Sequence, residues 1–189
     1  MQSFSKYFYE SSLSRIWKKT QDYECGAISG YRNDNSKEKN KQNNRDILNY
    51  LQGKGYSLTK VAGSYIENFG SETQKEVSEP SFFVCDHKDT GNLVKDMSKI
   101  AQRFDQDSIL IVPKGGKNAY LLGTSKRDNS YPSYGKKEIV GSGKFGKTSG
   151  EFLSRIKGRE FTFEEIDPPG TINGKRGQMI FVETVDNET

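Results

Sequence analysis

The sequence predicts an α+β protein, a two-layer sandwich in which two helices lie on one face of a mainly antiparallel sheet. Three observations predict it. Short alternating or apolar runs with strand character recur at Cys25–Arg32, Tyr56–Asn68, Val77–Asp86, Ser108–Val112 and Ala119–Gly123. Segments of helical period separate the first run from the second and the third from the fourth. The resulting order, β-α-β-β-α-β, is that of the split βαβ or ferredoxin-like arrangement.

Taken in order, residues 3–19 place Phe4, Tyr7, Phe8, Ile16 and Trp17 at helical spacing among charged residues, which predicts an amphipathic N-terminal helix. Cys25 to Arg32 is the first strand. Asn33 to Asn44 is Lys/Asn-rich and predicts a polar loop. A helix is expected from an Asn43 or Asn44 cap, with Ile47, Leu48, Tyr50 and Leu51 as its apolar face and Gly53 and Gly55 at its end. Pro80 inside the third strand points to a bulge or an edge, because proline gives no ladder N–H. Thr90 to Phe104 spaces Leu93, Met97, Ile100, Ala101 and Phe104 for burial on one helix face, and Lys114-Gly-Gly-Lys117 turns the next strand into a hairpin. Residues 125–148 read as loop, 150–156 as a short helix, and Glu160–Ile166 and Gln178–Val185 as strands. The expected organisation is therefore an N-terminal helix over 1–22, a core domain over 23–124 and a loop-rich extension over 125–189.

Composition narrows the function classes. In 189 residues, 32% apolar and 12% aromatic content suits a compact core with an extensive surface. The net charge of +4 is too small to require an anionic partner. Two cysteines and one histidine make neither a disulfide framework nor a structural zinc site, so no metal and no cofactor is expected. No apolar run is long enough to span a bilayer, which predicts a protein of the cytoplasm, or of a virion, with no membrane role.

Several short motifs recur in a fixed order: Tyr31-Arg32, Asn43-Asn44-Arg45, Gly63, Glu79-Pro80-Ser81-Phe82-Phe83-Val84 and Arg103-Phe104-Asp105-Gln106. Together they resemble a small bacterial and phage family known only as a domain of unknown function, in its phage-type form. That family's pattern is an aromatic-bearing strand, Asn-x-x-Arg or a similar pair, Glu-x-Ser and aromatic-x-Gln. The resemblance covers Ala27 to Thr124 and departs from the pattern at Gly30-Tyr31-Arg32, where tryptophan is usual. It implies a phage origin and no particular activity.

Gly141-Ser-Gly-Lys-Phe-Gly-Lys-Thr148 matches a phosphate-binding loop in form. It lacks the buried strand before it and the long helix after it that such a loop needs, so it reads as a basic loop. Glu67, Glu79, Arg32 and Arg45, with Asn44, Ser81 and Gln106, form a polar set at strand and helix ends. Either they pair and cap one another, or a carboxylate serves as base while the arginines hold an anion. Lys126, Arg127, Lys136, Lys137 and Lys144, interleaved with Tyr131 and Tyr134, suit single-stranded nucleic acid. His87 reads as a solvated turn residue. The leading expectation is a phage-encoded, non-enzymatic binding or assembly protein whose partner is another virion protein or a host protein. The alternatives are an enzyme acting on nucleic acid or a nucleotide through Glu67 and Glu79, and a single-strand binder.

Overall fold

A computed structural model describes residues 11–67, 72, 75–145, 153–156, 159–164 and 178–183. Among these residues, three helices, α1 (Ser11–Asp22), α2 (Lys37–Gly53) and α3 (Leu93–Arg103), accompany nine strands. The strands are β1 (Cys25–Ile28), β2 (Ser57–Glu67), β3 (Lys75–Cys85), β4 (Ser108–Val112), β5 (Ala119–Gly123), β6 (Lys137–Phe145), β7 (Leu153–Ile156), β8 (Arg159–Glu164) and β9 (Gln178–Glu183). Over the core the strands lie in the order β4-β1-β3-β2, each antiparallel to its neighbour, which is the ferredoxin-like order expected. β5 and β6 extend this antiparallel sheet to six strands. β9, β7 and β8 then link β2 back to β6, so that pairing runs round a closed ring.

Strand alternation gives the sheet two apolar faces. On one, Ile28, Phe82, Val84, Ile109 and Ile111 meet Ile47 and Leu51 of α2 and Leu93, Met97, Ile100 and Ala101 of α3. Burying each such side chain is worth about 1.5–3 kcal/mol, so this layer carries much of the fold. The helices approach closely: a Cβ on Gly26 would stand 2.7 Å from the Leu110 carbonyl oxygen and 2.9 Å from the Met97 sulfur. On the other face, Cys25, Ala27, Val61, Phe83, Cys85, Leu110, Val112 and Leu121 pack with Ile16 of α1.

Three expectations are corrected. Helix α2 begins at Lys37 rather than at Asn43 or Asn44, with the Ser36 side chain accepting from the Lys39 amide as its cap. Its first turns are polar, so hydropathy read them as loop, yet Asn40, Asn43 and Asn44 are buried on the same face as Ile47 and Leu51. Lys137–Phe145, expected as loop, is strand β6; its polar sequence is held by ladders to β5 and β8. Leu153–Ile156, expected as part of a short helix, is strand β7, because periodicity cannot separate the two over four residues and pairing with β8 and β9 decides. Residues 3–10 of the expected first helix, and Gly146–Thr148 of the glycine-lysine motif, lie outside the described residues.

Candidate functional site

The site forms where β1 stops. Ile28, opposite Phe82, is the last β1 residue in register with β3, so the β3 edge at Glu79–Ser81 continues without a β1 partner. The asparagine face of α2 takes over. Asn44 Oδ1 accepts from the Gly30 amide at 2.7 Å and its Nδ2 donates to the Pro80 carbonyl at 2.9 Å. Asn43 Nδ2 donates to the Gly30 carbonyl at 3.1 Å, while its Oδ1 is buried without a partner among the described residues. Asn40 holds both backbone groups of Arg32, at 3.0 and 2.9 Å. A Cβ on Gly30 would sit 2.9 Å from Asn43, so only glycine lets the loop lie this close to the helix.

Pro80 belongs at such an edge because it has no N–H to leave unpaired. Its carbonyl also accepts from the Ser29 hydroxyl at 3.0 Å, and that hydroxyl accepts in turn from the Tyr31 amide at 3.0 Å. Ser81, buried, donates to the Glu79 carbonyl at 3.3 Å. Glu79 itself keeps a small exposed edge. Burial nonetheless pushes its carboxyl up to about 7, and the Ser29 hydroxyl beside it pulls the other way. A carboxyl poised there changes charge at neutral pH and is suited to binding or proton transfer.

On the loop that follows β1, held by Asn40, lies a dense ionic cluster. Arg32 grips Asp34 with two bonds of 2.9 and 2.7 Å and reaches the Asp105 carbonyl with a third. The Asp34 hydrogen bond holds the Arg32 guanidinium above its ordinary range, and the same bond holds the Asp34 carboxyl below its own. Arg127 Nε lies 3.1 Å from Asp105 Oδ2, and Arg127 also pairs with Asp107. Ser125 donates to Asp105 Oδ1 at 2.7 Å. Asp105 takes a left-handed backbone, φ 51°, which turns the chain between α3 and β4. Gln106, buried, reaches the Phe104 carbonyl at 3.5 Å, and its own carbonyl accepts from Thr124 at 2.6 Å.

Of the residues singled out from the sequence, Arg32, Asn44, Glu79 and Ser81 come together around the end of β1, and Arg32 links them to Asp105 and its neighbour Gln106. Arg45 does not join them; it stands on the exposed side of α2. Glu67 ends β2 opposite Lys75, four residues along from Gly63, the partner of Glu79; that is about 13 Å at ordinary strand rise. In the basic stretch, Lys126 lies over Tyr134 at 5.1 Å and Lys137 over Tyr120 at 4.6 Å; Lys136 is exposed, and Lys144 is paired in β6 with Thr162. In the described part of the glycine-lysine motif, Gly141–Phe145 lie within β6, their backbone paired with β5 and β8 rather than looped. His87 is exposed in the turn after β3. Sequence reasoning missed Ser29, Asn40, Asn43 and Asp105. The signal for the asparagines was present, since 40, 43, 44, 47 and 51 share one helical face.

Among the described residues, no helix is long and apolar enough to cross a membrane. No curated protein matches the chain. A family model described as S-Adenosylmethionine lyase family matches residues 26–169, well over half of the chain. The match thus supplies a known family, and it does not bear on the phage origin or the motif pattern of the expected resemblance. An enzyme family also overturns the leading expectation of a non-enzymatic virion or host-binding protein and favours the enzyme alternative.

Proposed function

The chain belongs to the S-adenosylmethionine lyase family, and on that premise we propose that it cleaves a carbon–sulfur bond of S-adenosylmethionine, with Glu79 as the carboxylate that recognises this cationic substrate. A lyase breaks the bond without adding water and without net oxidation. The electron pair of the broken bond returns to the sulfonium sulfur, which leaves as a neutral thioether. The carbon it leaves gains a new bond within its own fragment, either by ring closure onto the substrate's own carboxylate or as a double bond with loss of a neighbouring proton to solvent. The substrate thus carries its own activated leaving group, and the protein's task is to bind and orient it.

The observation that carries the reading is the Glu79 carboxyl, largely buried at an unpaired strand edge and pushed up to about 7. The ionised form attracts a cation in a setting of reduced dielectric, where a charge interaction is stronger than in water. Its contribution lies in binding. Positive charge on sulfur disappears as the bond breaks, so a carboxylate at the sulfur would favour the ground state over the transition state. Glu79 therefore acts chiefly through KM.

The test is incubation of the purified chain with S-adenosylmethionine, followed by mass spectrometry. The expected result is loss of substrate with two fragments whose masses add up to it, less one proton. Intact substrate after prolonged incubation overturns the reading, and fragments carrying an added water at the earliest times make the enzyme a hydrolase.

A further inference from the structure

We propose that Asn44 is a positioning residue of the Glu79 site, an amide strut from α2 that fixes the backbone on which Glu79 is carried. The proposal rests on the assignment of Glu79 as the substrate-recognising carboxylate. Beyond Ile28 the β1 ladder has ended, so among the described residues β3 at Glu79 and Pro80 is hydrogen-bonded to a strand only on its β2 side. Asn44 supplies what the missing strand would have given. One end of its amide takes the Gly30 N–H at 2.7 Å, and the other donates to the carbonyl of Pro80, the residue after Glu79, at 2.9 Å. The same carbonyl takes the Ser29 hydroxyl at 3.0 Å, which brings Ser29 beside the Glu79 carboxyl. Helix, strand end and carboxylate thus share one frame, in which every bond lands on Ser29 or within two residues of it or of Glu79.

The strut is short and buried, with Asn44 only 8% exposed. A planar amide that must accept at one end and donate at the other fixes distance and direction together, which a water in the same gap would not. This predicts two effects of opposite sign on one group. Asn44→Ala loosens the edge, admits water and moves the Glu79 midpoint down towards 4.5. Ser29→Ala takes away one of the two bonds to the Pro80 carbonyl while Asn44 keeps the other, and it removes a hydroxyl that favours the ionised form, so with the strut in place the midpoint moves up.

The experiment is a 13C titration of the Glu79 carboxyl in the full chain, for wild type and both variants, together with kcat and KM on S-adenosylmethionine. Asn44→Ala is expected to lower kcat/KM by roughly 10- to 100-fold, the size of effect that misplacement of a site group produces. Arg45→Ala, one residue along on the exposed side of the helix, changes neither readout. A folded Asn44→Ala protein with an unchanged midpoint and unchanged kcat/KM overturns the proposal and makes the amide merely structural. Should Asn44→Ala not fold, Ser29→Ala decides: no upward shift overturns it. A wild type inactive on S-adenosylmethionine whose midpoint still moves in both variants sinks the lyase reading and leaves the strut standing.

Discussion

Replacing Glu79 by glutamine is expected to stabilise the protein while removing its substrate recognition. The carboxyl is pushed from an ordinary 4.5 up to about 7, chiefly by burial. The folded protein therefore holds this proton more tightly than the unfolded chain does. Stability contributed by Glu79 is fully present below pH 4.5 and falls as pH rises towards 7; above pH 7 the whole penalty stands. At 1.36 kcal/mol per pH unit, the interval sets an upper value of ~3 kcal/mol, reduced by whatever solvent still reaches the carboxyl's exposed edge. Glutamine is neutral throughout, so Glu79→Gln should gain up to ~3 kcal/mol over wild type at pH 8 and nothing at pH 4. For a domain of this size that is roughly 6–12 °C in Tm. Urea unfolding of both proteins at pH 4, 6 and 8 reads the difference directly. On the functional side, the wild-type kcat/KM should rise with pH through an acid limb centred near 7, because the free enzyme must be ionised to attract the cation. The variant's KM should rise roughly 30- to 5,000-fold, the span of ~2–5 kcal/mol for deleting one partner of a buried charge contact. A stability difference between the two proteins that is the same at pH 4 and pH 8 would refute the reasoning, because it would mean that Glu79 titrates as a solvated side chain.

Gly26→Ala places a methyl group 2.7 Å from the Leu110 carbonyl oxygen and 2.9 Å from Met97; a loss of ~1–3 kcal/mol in chemical unfolding is expected, and a neutral effect would show that α3 can retreat from the sheet. Tyr56→Phe removes a 2.8 Å bond to the buried Asp96, which retains Lys54 and Tyr50, both at 3.4 Å. That substitution should cost ~1–2 kcal/mol with no change in kcat/KM, since the pair meets the C-terminal end of α2 at Tyr50 and Lys54, whereas the Glu79 edge is tied to Asn44. Cys25 and Cys85 are both buried, and the Cys25 thiol is pushed up first by its hydrogen bond with Cys85 and then by burial. Both thiols should resist iodoacetamide in the folded protein and react once it is denatured; rapid modification of the native state, read by mass spectrometry, would contradict this.

The helices and strands of the core were legible because their burial is simple. Leu93, Met97 and Ile100 repeat at helical spacing and face one apolar layer, while Ile109 to Val112 is apolar without a break. Pro80 also announced its edge. What escaped was structure made by polar residues. The first turns of α2 look like solvated loop in hydropathy, since nothing in a single sequence says that Asn40, Asn43 and Asn44 find backbone partners on residues 30, 32 and 80. β6 escaped for a related reason: its ladders form with strands distant in sequence, and tertiary pairing overrides weak local propensity. Glu79 was legible as a candidate residue but not as a perturbed one. Its expected partners were Arg32 or Arg45, whereas Arg32 binds Asp34 and Asp105 and Arg45 faces solvent.

The missing catalytic signature follows from the chemistry as much as from the fold. Sequence motifs that announce an enzyme mostly report costly tasks: activating water, holding a phosphate, building a nucleophile or binding a metal. A sulfonium asks for none of these, since its sulfur already departs as a stable neutral thioether. What it asks of a protein is a charge of the right sign, kept from bulk water and held at a fixed place. One glutamate at the edge of a strand meets that need if its neighbours keep it dry and still. Here they are an asparagine, a serine and a proline, residues that carry no catalytic signature of their own in the sequence. The functional information then lies in where β1 stops relative to β3, a matter of register rather than residue type. Extending β1 so that its ladder covered Glu79–Ser81 would satisfy the same backbone groups and bury the carboxylate further, abolishing recognition without touching a single side chain of the site.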